Sequence, residues 1–198
     1  MRKDYEIILN LIPENSKVLD IGCSDGELIT YLENKGISAQ GVELSQEKVI
    51  KCLEKGLDVI HGDINLIVED FPFNQFDYCL LTQTIQAVQE PDQLLNTLKK
   101  VSKNIIVSFN NSARLSKISN FLLTGSFDSL LRKANSDHWY NTDYIHPCSI
   151  KDFKKLATDL NLKIISTFDV LSQKKFENGK IPSNLFCKEV LFHITTEQ

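Results

Sequence analysis

Lys17-Val18-Leu19-Asp20-Ile21-Gly22-Cys23-Ser24-Asp25-Gly26 decides how this chain folds. Val18 to Ile21 reads as a short strand, apolar but for Asp20, that runs into a glycine-punctuated turn. Leu28, Ile29 and Leu32 then fall on one face of a helix that stops near Gly36. A strand, a tight turn and a helix in this order open the βαβ unit of a doubly wound sheet. Seventeen residues beyond Gly26, the run Gly41-Val42-Glu43-Leu44 places an acid at the end of the next strand. The turn lets backbone approach a ligand, and a second-strand carboxylate accepts hydrogen bonds from both hydroxyls of a ribose.

The spacing suits S-adenosylmethionine (SAM) better than a dinucleotide. A dinucleotide fingerprint wants Gly-x-Gly-x-x-Gly, and Gly22, Ser24 and Glu27 hold those places. SAM has no pyrophosphate to seat on a helix N-terminus. It carries a zwitterionic amino acid and a sulfonium, which a carboxylate such as Asp20 suits. Gly22, Cys23 and Gly26 are expected around the amino-acid portion, and Glu43 with Leu44 at the ribose. Asp63 and the N–H of Ile64 are expected at the adenine, and Thr82 and Gln83 beneath the sulfonium. Structural alternatives stand beside these: Asp63 as a helix cap, Thr82 as a satisfied strand-end hydroxyl, Gln83 as a partner of nearby backbone rather than of the SAM amino or carboxylate group. What favours a ligand site is that the residues fall at the carboxyl ends of consecutive strands.

The chain has 198 residues, 42% of them hydrophobic and 24% charged, which fits a single globular domain over 1–198. A net charge of −4 argues against a general nucleic-acid binder. Arg114, Lys117, Arg132 and Lys133 gather, but Asp128 and Asp137 interleave with them, as on a solvated face. Five scattered cysteines without a Cys-x-x-Cys pair form neither a metal site nor a disulfide framework. Acids near the N-terminus argue against a signal peptide, and no apolar run approaches the ~20 residues of a membrane span. The expected compartment is the cytoplasm.

Strand and helix patterns alternate, predicting a doubly wound, mainly parallel seven-stranded sheet with helices on both faces. Tyr5, Ile8, Leu9 and Ile12 share a helical face that ends at Pro13. Ser24 and Glu27 have capping-box spacing, and Ser45 can cap a helix carrying Val49, Cys52 and Leu53, closed by Gly56. Further strands are expected at Asp58–His61, Phe76–Thr82, Ile105–Phe109, Leu162–Leu171 and Leu185–Thr195. Pro91 fits a helix first turn and Ser149 a cap. Between them, residues 110–147 form an irregular lid or insertion with one weak helix around Ile118–Leu123.

A specific family resemblance follows. Thr82-Gln83-Thr84-Ile85-Gln86-Ala87-Val88 with Pro91 resembles the Ser-Gln-Thr-Leu-Gln-Ala-Val…Pro stretch of MetW-type methionine biosynthesis proteins. Ile106-Val107-Ser108-Phe109-x-Asn111 is similar to their Ile-Val-Ser-Phe-Pro-Asn, and Trp139-Tyr140-x-Thr142-x-x-Ile145-His146-x-Cys148-Ser149-x-x-Asp152-Phe153 to their Trp-Tyr-Asp-Thr motif. The resemblance implies a class I SAM-dependent methyltransferase fold (Rossmann-like, with an antiparallel final strand) and a role in methionine synthesis beside homoserine O-acyltransferase. Ser24, Asn110 and Asn141 depart from it, as does the missing Gly-x-Trp in residues 112–116.

Methyl transfer from SAM needs positioning first, and a base only if the acceptor loses a proton at attack. His146 and Tyr140, with His138, are the candidate bases. The alternative for His146 is a hydrogen bond to a backbone carbonyl that orders the turn. Trp139, Tyr140, Tyr144 and Phe127 either line an acceptor pocket or pack the lid. Two functions therefore stand. One is a methyltransferase with a small-molecule acceptor, neither nucleic acid nor membrane. The other is a non-catalytic protein that binds SAM or S-adenosylhomocysteine and regulates homoserine O-acyltransferase. Neither requires a metal.

Overall fold

A computed structural model describes residues 1–126, 146–176 and 184–196. In chain order the elements are α1 (Lys3–Leu11), β1 (Lys17–Ile21), α2 (Glu27–Asn34), β2 (Ser38–Glu43), α3 (Gln46–Glu54), β3 (Val59–His61), α4 (Ile64–Ile67), β4 (Phe76–Thr82), α5 (Pro91–Val101), β5 (Ser102–Asn110), α6 (Leu115–Thr124), α7 (Ile150–Asp159), β6 (Lys163–Asp169), β7 (Lys174–Lys175) and β8 (Glu189–Thr195). The strands form one sheet in the order β3-β2-β1-β4-β5-β8-β6-β7. The first five are mutually parallel, and β8 runs antiparallel between β5 and β6. The order reverses at β1, which pairs with β2 on one side and β4 on the other.

Successive strand residues face opposite sides of a sheet, and here the two sides bury separate cores. Leu19, Ile21, Cys79, Leu81, Val107, Phe109 and Phe192 pack on one side with the apolar stripes of α5 and α7. Val18, Leu80, Ile106 and Leu191 pack on the other with α1, α2 and α3. Central strands buried on both faces explain the continuous apolar run at Tyr78-Cys79-Leu80-Leu81.

Several expectations need correction. The sheet has eight strands rather than seven, because Lys174–Lys175 adds a two-residue edge strand to β6. β5 starts three residues early, at Ser102, whose hydroxyl bonds Asn104 O. Ser24 and Glu27 form no capping box: Ser24 has φ 54°, and Gly26, at φ 77°, holds the N-cap of α2. Ser45 sits at the N-cap of α3, but its side chain makes no cap bond. The full reciprocal box belongs to α7, between Ser149 and Asp152. Within the expected irregular segment, α6 is a regular ten-residue helix that Gly125 closes at φ 66°. Residues 127–145 lie outside the described residues, and with them Phe127, His138, Trp139, Tyr140 and Tyr144.

Candidate functional site

The carboxyl ends of β1, β2, β3 and β4 open onto a cavity of about 680 Å³. Of the residues expected from sequence, Gly22, Glu43, Leu44, Asp63, Ile64, Thr82 and Gln83 line it. Asp20, Cys23 and Gly26 do not. Each of the three sits just behind the wall, for its own reason.

Gly22, at φ 72°, is the point of close approach. A Cβ there would lie 2.8 Å from the hydroxyl of Thr84, which donates to Ile21 O at 3.0 Å. The turn is tied to the neighbouring strand by the N–H groups of Gly22 and Cys23, which both donate to Val42 O. The Cys23 side chain is buried in the sheet face against Gly41, and burial pushes its thiol pKa up. Gly26 serves packing: a Cβ would meet Leu57 at 2.3 Å and Cys52 at 3.1 Å.

Glu43 ends β2 with each carboxylate oxygen already held. Ser24 N–H donates to Oε2 and Ser45 N–H to Oε1, both at 2.9 Å. These bonds fix the rotamer and leave the remaining lone pairs able to accept from a diol. Asp63 caps α4, taking bonds from Asn65 N and Nδ2 on Oδ1 and leaving Oδ2 able to accept. The cap alternative is therefore real, and it does not spend the whole carboxylate. The N–H of Ile64 belongs to the first turn of α4, where intrahelical partners are missing.

Gln83 is clamped by its neighbours. At φ 61°, it donates from Nε2 to Glu189 Oε1 at 2.6 Å and accepts at Oε1 from Asn110 Nδ2 at 2.7 Å. The partners of this carboxamide are side chains, not the backbone groups the sequence alternative expected. His146 is exposed, and its Nε2 lies 3.0 Å from the carbonyl of Gln89, a residue of the cavity wall. A carbonyl can only accept, so Nε2 carries the proton. The His146 N–H donates to Gln86 O at 3.1 Å, pinning this segment to the loop after β4.

A polar cluster that sequence reading did not assemble stands behind Arg2 at the cavity wall. Strand parity directs Asp20 of β1, Ser108 of β5 and Glu189 of β8 to the same sheet face as Val18, Ile106 and Leu191, the face that α1 covers. Asp4 of α1 meets them there, 1% exposed, accepting from Ser108 Oγ at 3.2 Å. Arg2 grips Asp4 through Nε at 3.1 Å and Nη2 at 2.5 Å, donates from Nη1 to Tyr5 Oη at 3.1 Å, and lines the cavity. Asp20 is 1% exposed, and its Oδ1 has no hydrogen-bond partner. Burial raises its pKa to about 7 against the lowering effect of Arg2, with smaller raising contributions from Asp4 and Glu43. Burial likewise raises Glu189. Among the described residues no cluster of His, Cys, Asp and Glu could hold a metal, and no helix is long and apolar enough to cross a membrane.

Solved structures share this architecture. A SAM-dependent methyltransferase from Methanosarcina mazei superposes with a TM-score of 0.69 at 16% identity, over 96% of either chain. A TehB-like SAM-dependent methyltransferase from Corynebacterium glutamicum gives 0.66 at 15% identity, over 100% of this chain and 89% of that one. At such identities the likeness is one of fold. Sequence relatives go further. A bifunctional methionine biosynthesis protein MetXA/MetW from Rhodopirellula baltica is 32% identical over 202 aligned residues, which cover 96% of this chain. The chain spans about a third (32%) of that relative's length. Residues 2–194 match the family described as methionine biosynthesis protein MetW, a span that runs from Arg2 at the cavity rim to Ile194 in the last strand, and the chain belongs to that family.

Proposed function

We propose that the cavity binds SAM and its product S-adenosylhomocysteine, and that the protein transfers the methyl group to a small-molecule acceptor in methionine metabolism. The observation that carries this reading is the set of groups around one cavity at the switch point of the sheet. Glu43 is pre-oriented by two backbone N–H bonds for a diol, and Asp63 with the Ile64 N–H for an adenine edge. The orphaned Oδ1 of Asp20 lies behind the Gly22 turn and lacks a cationic donor such as an ammonium.

SAM, when bound, supplies a methyl carbon already activated by its sulfonium. What the chain contributes is position. The Gly22 turn admits the ligand against backbone, the Asn110–Gln83–Glu189 clamp holds a fixed dipole at the end of β4, and the carboxylates favour a cation. Among the described residues the cavity's titratable lining is Arg2, Glu43, Lys48 and Asp63. No histidine, cysteine or tyrosine is among the described lining residues, so positioning is the larger part of any catalysis. His146 and Tyr140 stay our candidate proton acceptors for an acceptor that must be deprotonated.

A second reading has its own support, the relative in which MetXA and MetW are one bifunctional protein. Here the chain acts as a SAM-responsive partner of homoserine O-acyltransferase, and ligand binding shifts the complex by its differential affinity. Calorimetric titration with S-adenosylhomocysteine, on the wild type and on Glu43→Gln, tests the common ground of both. Glu43→Gln keeps the side-chain shape and removes the charge. A loss of about tenfold to a hundredfold is expected for charge-assisted bonds. Absence of wild-type binding would refute both readings. Turnover of labelled SAM, against a response of acyltransferase rate to this protein, then separates them.

A further inference from the structure

The geometry points to Arg2, on the turn that opens α1, as the receptor for the carboxylate of the ligand's amino-acid end, and so as the residue that separates amino-acid-bearing nucleosides from those without it. This rests on the nucleoside reading above.

A guanidinium has five N–H donors. Three are engaged, two by Asp4 and one by Tyr5 Oη, and two are left on a side chain that is 41% exposed and lines the cavity. Asp4 takes Nε and Nη2 side-on. It is itself fixed by Ser108 Oγ and by the N–H of Tyr5 at 3.1 Å. The guanidinium also lies over the Tyr5 ring, 4.5 Å from its centroid. Such a cation is oriented before any ligand arrives, which limits the ordering that binding must impose.

A second observation fits the same end of the ligand. Asp20, which feels the charge of Arg2, keeps a buried oxygen without a partner. A carboxylate lacking a donor beside a guanidinium with spare donors is the complement of an α-amino acid zwitterion, ammonium to Asp20 and carboxylate to Arg2. A nucleoside ending in a methylthio group satisfies neither.

The test is calorimetric titration of the full chain with S-adenosylhomocysteine and with its decarboxylated analogue, which keeps the ammonium. The proteins are the wild type, Arg2→Met, and the Arg2→Met/Asp4→Asn double variant, which leaves no lone buried charge if the single variant folds poorly. The wild type is expected to prefer S-adenosylhomocysteine by about tenfold to a hundredfold, and either variant to lose that preference while binding the analogue as before. Equal weakening of both ligands would mean that Arg2 only holds the fold, and an undiminished preference would mean that the carboxylate is read elsewhere. Either result overturns the assignment. A wild type that binds neither compound overturns the nucleoside reading, and this one with it.

Discussion

Replacing Asp20 by asparagine is expected to stabilise the free protein at alkaline pH while weakening the ligand, and the size of the first effect follows from burial. Asp20 is 1% exposed, between Gly41 of β2 and Leu80 of β4, with an unsatisfied Oδ1. Desolvation first, then Asp4 and Glu43, raise its pKa from 3.8 to about 7. The folded state therefore binds this proton more tightly than the unfolded chain. Stability from this group is complete below about pH 4 and is lost as pH rises to about 7, a total of about 4 kcal/mol at about 1.36 kcal/mol per pH unit. The carboxamide of the Asp20→Asn variant does not titrate. Urea unfolding of both proteins at about pH 5 and about pH 8 should show the variant gaining about 2–3 kcal/mol on the wild type between the two. A difference that does not change with pH would refute the claim that a raised carboxyl is buried here.

The ligand responds with the opposite sign. A cationic ammonium binds the ionised form of Asp20, so wild-type affinity for S-adenosylhomocysteine should fall by up to tenfold per pH unit below about pH 7, with uptake of a proton by the free protein. Asp20→Asn should bind weakly and lack that slope. Retained affinity in the variant, with an unchanged pH profile, would assign the titration to another group.

Two further substitutions probe the frame around the site. Gly41→Ala would put a Cβ 2.6 Å from Cys23 Sγ and 2.7 Å from Ile29 Cδ1, both buried, so about 1–3 kcal/mol of stability should be lost in urea unfolding. The same change at Gly36 meets no atom, so its loss should come from the left-handed backbone (φ 75°) alone, about 1–2 kcal/mol. Ser149→Ala removes the box in which Ser149 Oγ accepts from Asp152 N at 3.1 Å, and should destabilise by about 1 kcal/mol without changing ligand affinity.

Local pattern carried the sheet well and the site in part. Val18–Ile21, Phe76–Thr82 and Ile105–Phe109 were legible because central strands buried on both faces leave unbroken apolar runs. Gly22, Glu43 and Asp63 were legible because each stands within a few residues of a strand end. Arg2 and Asp4 left no local signal. Asp4 resembles an ordinary first-turn acid of a helix, and its partner Ser108 lies 104 residues away. The clamp on Gln83 likewise depends on Glu189, 106 residues distant. α6 was underestimated because its residues Leu122 and Leu123 are exposed, so no buried stripe marks the helix.

The charges around the cavity explain which ligands it can take. Asp20 feels Asp4 and Glu43, and Glu189 feels Asp4, with Arg2 as the compensating cation for both. Asp63 adds a further carboxylate at the wall, and Lys48 a second cation. Carboxylates thus outnumber cations, in a site where burial amplifies each charge. A pyrophosphate placed there would meet the Glu43 and Asp63 carboxylates. A sulfonium and an ammonium gain from the same field. Folding keeps this field at a cost, visible in the raised pKa of Asp20. That cost can be recovered only when a cation arrives, and so the free energy withheld from the fold by Asp20 is available to ligand binding.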